Sequence, residues 1–235
     1  MFQTVVASLL TATLILSACS GGSDSDDGIP NATPATATSS AAGAPEEANI
    51  GTGSALVWPG EGYSVVLVHG AIYDAASWSD QAKAIAAHGF AVVAVEHATA
   101  DDVRAASDYL RRTFGISHVA LVGASAGAGP VIDVVRGRSP DEQPEVDLMI
   151  ILAGSGEVQG IAVPSVLFIA ADGDAGAARA AERMMSATSG KTEDLVIVPG
   201  SAHAQALFSE PEGEVVLAAI LNRLDARRAA LGMEP

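Results

Sequence analysis

Cysteine, aromatic residues and basic residues are all scarce in this sequence. Among its 235 residues there is one cysteine, Cys19, so no disulfide can form within the chain. The 12 Lys and Arg against 28 Asp and Glu give a net charge of −16. Such a chain repels polyanions, which argues against a nucleic-acid partner. No H-x₃-H or H-E-x-x-H spacing, G-x-G-x-x-G fingerprint or P-loop lysine occurs. We therefore expect neither a metal nor a cofactor.

Apart from these scarce residue types, the composition is typical of one globular domain. Hydrophobic residues make up 49% of the chain and charged residues 17%. This balance suits a buried sheet covered by helices and excludes a disordered protein. The length allows one domain with a full core, but not two large ones. We expect a monomer.

The N-terminus begins with a short apolar segment that ends at the cysteine. Residues 5–16 form an apolar run of twelve, too short for a membrane-spanning helix and typical of a signal peptide. The following Leu16-Ser17-Ala18-Cys19 resembles the bacterial lipobox, although residues 1–4 contain no Lys or Arg. This resemblance implies a lipoprotein signal peptide over residues 1–18 and a lipid on Cys19. The alternatives are ordinary signal cleavage with a free thiol, or a different start codon.

The lipobox resemblance also implies a location and a membrane partner. The protein would be a cell-envelope lipoprotein that faces the periplasm or the exterior, with its lipid in the membrane. Residues 20–52 are rich in small and polar residues, with five acidic residues and no basic one. This composition predicts a disordered tether over residues 19–52 and a folded domain over residues 53–235.

Apolar runs rich in β-branched residues alternate with helical patterns from residue 54 onward. Strands that are apolar without alternation are buried on both faces, which is typical of parallel sheets. The alternation therefore predicts an α/β domain with a doubly wound, mostly parallel sheet of six or seven strands. Functional residues are expected after the carboxyl ends of its strands. The predicted strands are residues 55–58, 64–68, 90–95, 119–122, 148–152, 166–170 and 195–198, and the predicted helices are residues 78–86, 103–114, 126–135, 175–187 and 214–228.

One strand is followed directly by the pentapeptide Gly123-Ala124-Ser125-Ala126-Gly127. A G-x-S-x-G sequence between a strand and a helix is the signature of a nucleophile elbow. Its sharp turn exposes the serine hydroxyl beside the first amides of the helix, which stabilise a developing oxyanion. Ser125 is therefore the candidate nucleophile, and the alternative is a tight packing turn without chemistry.

With this motif, residues 55–231 resemble the α/β-hydrolase family of serine esterases and lipases. The family order of nucleophile, acid and base implies that His203 is the base, since it is the one histidine after Ser125. The acid would be Asp174 or Asp172, and the family's usual spacing favours Asp174. The resemblance also implies an oxyanion hole formed by the N–H groups of Ala126 and Ala71.

The sequence His69-Gly70-Ala71-Ile72 is similar to the family's oxyanion loop, where Ile72 could replace Ala71 as donor. Ile72, Tyr73 and Trp78 are candidate substrate contacts, and the two aromatic residues could equally pack the loop. Residues 153–165 are too few for a helical cap, so we expect a minimal, lidless fold with an open site.

Cleavage of a carboxylic ester through an acyl-enzyme is the activity that these features imply. The ester could be a small acyl ester, a lipid or a polyester-like substrate. A cofactor-free perhydrolase or acyltransferase with the same triad is one alternative. A binding lipoprotein that keeps the fold without activity is the other.

Overall fold

The computed structural model of the protein describes residues 43–138, 145–161, 163–188 and 192–233. The predicted signal peptide, Cys19 and most of the predicted tether lie outside these residues. Within them, three short 3-10 helices span Ala75–Trp78, Ser125–Gly127 and Ala204–Ser209. The strands are β1 (Glu46–Ile50), β2 (Gly53–Trp58), β3 (Ser64–Val68), β4 (Ala91–Val95), β5 (His118–Ala124), β6 (Glu145–Leu152), β7 (Ser165–Ala171) and β8 (Thr192–Val198), and the α-helices are α1 (Ser79–Ala87), α2 (Ala100–Phe114), α3 (Ala128–Gly137), α4 (Ala175–Ala187) and α5 (Gly213–Ala230).

The strands form one sheet in the order β1-β2-β4-β3-β5-β6-β7-β8. The six strands from β3 to β8 are mutually parallel, while β1 and β2 add two antiparallel pairings at one edge. Every residue of β3, β4 and β7 is buried, as expected for continuous apolar strands covered on both faces. The predicted mostly parallel α/β fold is confirmed.

The first strand corrects two predictions: where the tether ends and how many strands the sheet has. The predicted tether ended at residue 52, but β1 occupies residues 46–50 and pairs with β2 through a two-residue turn at Gly51 and Thr52. The sheet therefore has eight strands instead of six or seven. An edge strand needs little apolar sequence, and in β1 Ile50 is the one buried residue.

The hairpin turn between β1 and β2 is tied to helix α2 by a buried carboxylate. Asp102 is 1% exposed and accepts hydrogen bonds from the N–H of Thr52 (2.6 Å) and from its hydroxyl (3.1 Å). Thr99 caps α2 and also donates its hydroxyl to Asp102. Burial opposes the charge on Asp102, but the hydrogen bonds from Thr52 and Thr99 outweigh it and lower the pKa of this carboxyl.

A second polar cluster lies at the amino ends of the central strands, away from the predicted site. The register between β5 and β6 shifts by one residue there, and Asp147 of β6 is fully buried. It accepts from the Tyr63 hydroxyl, and His118 Nδ1 and Arg227 Nε lie 2.9 Å and 3.3 Å from its oxygens. Burial raises the pKa of Asp147, although Tyr63 and Arg227 act in the opposite direction. Burial raises the pKa of Tyr63 too, which keeps its hydroxyl a neutral donor.

The connection from β6 to β7 is short and carries no lid. Residues 153–164 contain no helix at the positions that the structure describes, as the sequence analysis predicted. The carboxyl edge of the sheet is therefore not covered by a helical cap in this connection. Among the described residues, no helix is long and apolar enough to cross a membrane.

Replacement of Asp102 by asparagine tests the anchor of the hairpin. A lowered carboxylate pKa stabilises the fold above the unfolded-state pKa of about 3.9, and this contribution is lost as the pH falls through the lower folded-state value. We expect Asp102→Asn to lower the free energy of unfolding by ~2 kcal/mol at pH 7, because hydrogen bonds to a charged group are lost. Denaturant titrations near neutral pH and well below the pKa of Asp102 would measure it.

The neighbouring Asp101 supplies the control for this substitution. Its carboxylate is exposed and pairs with Arg104, so Asp101→Asn should change the stability by less than about 0.5 kcal/mol. The difference in the free energy of unfolding between wild type and Asp102→Asn should become smaller in acid, because the wild-type carboxylate is itself protonated there. An unchanged deficit at low pH would contradict the role given to the charge.

Candidate active site

The turn after β5 holds Ser125 in an unusual backbone conformation. Ser125 has a φ of +48°, in the left-handed region that favours glycine. A Cβ on Gly123 would come within 2.6 Å of the Gly127 carbonyl oxygen, and one on Gly127 would come within 2.5 Å of the Val68 oxygen. Both glycines are therefore required by close backbone contacts. The turn places the Ser125 hydroxyl at the carboxyl edge of the sheet, where the motif predicted it.

Three side chains from separate parts of the sequence form a continuous hydrogen-bonded chain at this edge. Ser125 Oγ lies 2.6 Å from His203 Nε2, and His203 Nδ1 lies 2.5 Å from Asp174 Oδ2. A carboxylate can only accept, so Nδ1 carries the proton and donates to Asp174. In a neutral imidazole this leaves Nε2 as the acceptor for the Ser125 hydroxyl.

Asp174, and not the neighbouring Asp172, is the carboxylate that faces His203. Its Oδ1 accepts from the N–H of Ala177 (3.2 Å) and caps α4, which leaves Oδ2 free for the imidazole. The cap fixes the orientation of the carboxylate. Asp172 is exposed, and its N–H donates to Val198 at the end of β8.

The loops after β7 and β8 approach each other closely enough to bring acid and base together. The N–H of Gly173 donates to the Gly200 carbonyl (2.8 Å), and a Cβ on Gly173 would come within 2.6 Å of the same oxygen. Gly200 has a φ of +108°. The His203 side chain remains 51% exposed, so solvent and substrate can reach its ring.

Ala71 and Ala126, the predicted oxyanion donors, belong to the two segments that meet at the nucleophile. A Cβ on Gly70 would stand 3.4 Å from the Ser125 Cβ, which places the residue before Ala71 against the serine. The N–H of Ala71 has no acceptor within the part of the chain that the structure describes. Ala126 directly follows Ser125 in the 3-10 turn.

The structure around the serine corrects one of the three predicted substrate contacts. The cavity beside the serine has a volume of about 520 Å³, and none of Ile72, Tyr73 and Trp78 lines it. The prediction for Trp78 is wrong: its ring is fully buried and packs edge to face on Phe208 at 5.8 Å. Ile72 is 88% exposed, and Tyr73 lies partly buried beside Gly70.

The lining instead comes from small residues after β6 and on α4, most of which the sequence analysis did not select. The residues after β6 could have been found from the sequence, because they directly follow the carboxyl end of a predicted strand. Ala153 also has a left-handed φ of +48°. No cationic side chain lines the cavity, and no group of three or more metal-ligating side chains occurs among the described residues. The lining residues are Ser125, Ala126, Gly129, Ala153, Gly154, Ser155, Asp174, Gly176, Ala177, Ala180 and His203.

Comparison with known proteins relates this architecture to solved hydrolases. No family model and no curated protein sequence matches the chain. A dienelactone hydrolase from Anabaena variabilis superposes with a TM-score of 0.65 at 16% identity, over 79% of this chain and 99% of the other. A bacterial heroin esterase gives 0.63 at 18% identity, over 81% and 86%. An α/β serine hydrolase without a lid from Xanthomonas campestris gives 0.57 at 16% identity, over 80% and 94%. The chain has the α/β-hydrolase fold.

Replacement of Gly127 by alanine tests the close contact beneath the elbow. The added methyl group would meet the Val68 and His69 carbonyl oxygens at 2.5 and 2.7 Å, and neither backbone can withdraw without distorting β3. We expect Gly127→Ala to lower the free energy of unfolding by about 3 kcal/mol. Equilibrium denaturation in urea measures the change.

Gly129, two residues further along, is the matched control for the same added methyl group. Apart from its chain neighbours and the backbone of its own helix, nothing lies within 4 Å of a Cβ placed there, and the residue is the second of helix α3. Because the Pro130 ring disfavours a helical residue with a Cβ before it, it offsets the gain in helix propensity, and Gly129→Ala should change stability by less than about 1 kcal/mol. Equal effects at the two positions would refute the steric account.

Proposed function

We propose that the protein hydrolyses carboxylic esters through a catalytic triad of Ser125, His203 and Asp174. The observation that carries this proposal is the unbroken hydrogen-bonded chain from the Ser125 hydroxyl through the imidazole to the Asp174 carboxylate. A serine hydroxyl is a weak nucleophile until a base removes its proton, and this arrangement supplies the base and orients it. The solved hydrolases with the same fold are consistent with the proposal.

The reaction proceeds by two acyl transfers. Ser125 Oγ attacks the ester carbonyl while His203 Nε2 takes the hydroxyl proton, and the tetrahedral intermediate collapses as the same proton passes to the leaving alcohol. Water then loses a proton to His203 and attacks the acyl-serine, which releases the acid and restores Ser125. Asp174 stays ionised throughout and stabilises the imidazolium that forms in each step.

The oxyanion of each tetrahedral intermediate would be held by the N–H groups of Ala71 and Ala126. The unpaired Ala71 amide and the position of Gly70 against Ser125 support this assignment. Such donors act mainly in the transition state, because charge develops on the oxygen only there. In other serine hydrolases, removal of one such donor lowers kcat by about 10² to 10³.

The cavity favours an uncharged ester. Its lining consists largely of alanine and glycine, with Asp174 as its one carboxylate and no Lys or Arg. An anionic substrate would meet no cation there and would also be repelled by the net charge of −16. With no lid, a small acyl ester or one segment of a larger lipid or polyester can enter.

We also propose that a lipid on Cys19 anchors the protein to a membrane of the cell envelope. The support is the apolar run of residues 5–16 followed by Leu-Ser-Ala-Cys. The described domain begins at residue 43, so 23 residues lie between Cys19 and that point. A monomeric domain would then act on esters in the periplasm or outside the cell.

Covalent labelling tests the nucleophile. A fluorophosphonate probe should modify Ser125, and Ser125→Ala should abolish labelling and lower ester hydrolysis on the order of 10⁴-fold or more. Ser201→Ala is the control, because this exposed serine lies two residues before His203 without a role in the triad. Peptide mapping of the labelled protein identifies the modified residue. Absence of labelling in folded wild-type protein, or labelling at another serine, would rule out the proposed triad.

Lipid attachment is tested by growth of the producing bacterium with an alkyne fatty acid, followed by membrane fractionation. Wild-type protein should carry the label and sediment with membranes, whereas Cys19→Ser should lose both properties because the thiol is the acceptor. Cys19→Ser combined with Ser23→Cys keeps one cysteine but moves it out of the lipobox, and it should remain unlabelled. Unlabelled wild-type protein in the soluble fraction would exclude the anchor.

A further inference from the structure

Gln205 is a buried amide side chain that contacts two points of one segment beside the nucleophile. It is 5% exposed and lies two residues after His203. Its Oε1 accepts from the N–H of Gly70 (3.2 Å), and its Nε2 donates to Ser77 Oγ (3.1 Å). Both ends of the amide therefore reach the segment between β3 and α1, far away in sequence.

The hydrogen bonds around Gln205 can run in one direction only. The Gly70 N–H is a donor, so the amide must present its oxygen there and its nitrogen to Ser77. Ser77 in turn donates its hydroxyl to the Asp74 carbonyl (2.5 Å), which leaves its oxygen to accept from Gln205. Because each group has one role, the network holds Gln205 in one orientation.

The chain between His203 and Gln205 is strained in a way that separates the two side chains. Ala204 is buried and has a φ of +54°, in the left-handed region that alanine rarely adopts. With this turn, His203 faces the open cleft while Gln205 faces the interior. Such strain persists only where surrounding contacts fix the backbone, and the Gln205 amide provides two of them.

The segment that Gln205 holds is the oxyanion loop, defined here as residues 69–73. The Gly70 carbonyl accepts from the N–H of Tyr73 (3.0 Å), and its N–H is held by Gln205. The peptide groups on both sides of the Gly70 Cα are thus fixed. The second of them contains the N–H of Ala71, so its direction depends on these two bonds and on His69 Nδ1, which lies 2.8 Å from the same Gly70 carbonyl oxygen.

We propose that Gln205 is a positioning residue that holds the oxyanion loop in place relative to Ser125 and His203. The proposal rests on the ester hydrolysis proposed above. Gln205 touches no reacting atom; it fixes the backbone from which Ala71 donates. Since the base and Gln205 belong to the same turn, one segment sets both the proton acceptor and one wall of the oxyanion hole.

Two variants and a control measure this role. Gln205→Met keeps the size of the side chain and removes both hydrogen bonds. Of these two, Ser77→Ala removes only the hydrogen bond that Gln205 Nε2 donates to Ser77. Ser107→Ala, which removes a buried hydroxyl that donates to Val103 within α2, controls for the loss of a buried polar group remote from the site. Each protein is assayed with a neutral p-nitrophenyl ester, with rates divided by the concentration of titrated active sites and with the Ki of an alkyl boronic acid.

A misplaced oxyanion donor stabilises the transition state less well, while the binding of the ground-state substrate changes little. We expect Gln205→Met to lower kcat per titrated site about 10²-fold with a change in KM of less than about threefold. The boronic acid Ki should rise by a factor close to the loss in kcat/KM. Ser77→Ala should lower kcat by roughly threefold to tenfold, since one neutral hydrogen bond is lost, and Ser107→Ala should leave kcat unchanged.

The outcomes separate this proposal from the one on which it rests. The positioning role would be overturned if Ser77→Ala, and Gln205→Met where it folds, kept the wild-type kcat per titrated site and the wild-type affinity for the boronic acid. This conclusion would hold whatever the melting temperatures of the variants. If Gln205→Met does not fold, Ser77→Ala decides alone, because its substitution removes only a partly exposed hydroxyl. Wild-type protein without ester turnover or probe labelling would instead overturn the proposed function, and the positioning role with it.

Discussion

The left-handed turn at Ser125 is the constraint on which the site depends. It occurs because β5 ends where Gly127 must pass under the last residues of β3, at a distance that leaves no space for a Cβ. Two further non-glycine residues with positive φ, Ala153 and Ala204, flank the same cleft among the described residues. Backbone strain of this kind costs about 1–3 kcal/mol per residue and persists only where packing fixes the chain. The fully buried parallel strands provide that packing.

The two edges at which the strands begin and end hold different kinds of polar groups. Asp147 and Tyr63 are buried together at the amino ends of the strands, and both the Tyr63 hydroxyl and the half-buried Arg227 contact the Asp147 carboxylate. The carboxyl ends hold the exposed imidazole of His203 and the open cleft. Since a parallel sheet brings the carboxyl ends of its strands to one edge, four separate loops can meet around Ser125.

The parts of the structure that local sequence could predict are those that local physics determines. Residues 64–68 and 175–187 were predicted with the bounds of β3 and α4, because continuous apolar strands and amphipathic helices carry their own signals. The turn at Ser125 was predicted because its glycines are required by close contacts. His203 and Asp174 followed from the family resemblance, whose order implied the histidine and whose spacing favoured Asp174 over Asp172, and the two side chains lie in hydrogen-bonding contact.

What the sequence could not predict depends on tertiary contacts. β1 buries one residue, Ile50, and its pairing is fixed by Asp102 from a distant helix, so residues 46–50 have the composition of a loop. For Trp78 the sequence left substrate contact and loop packing equally open, because the packing of two distant segments decides whether its ring faces a cleft or Phe208. Gln205 gave no signal, because a glutamine in a loop is ordinarily exposed.

Asp174 shows how few groups hold the site together. One oxygen of its carboxylate orients His203, and the other caps α4 at Ala177. Ala177 and Ala180 of the same helix line the cavity, so the carboxylate that fixes the base also fixes a wall of the cleft. A shift of α4 on substrate entry would therefore move the imidazole relative to Ser125. If the protein cleaves esters as proposed, the shape of an ester in this cleft of small side chains would affect the rate of its cleavage as well as its binding.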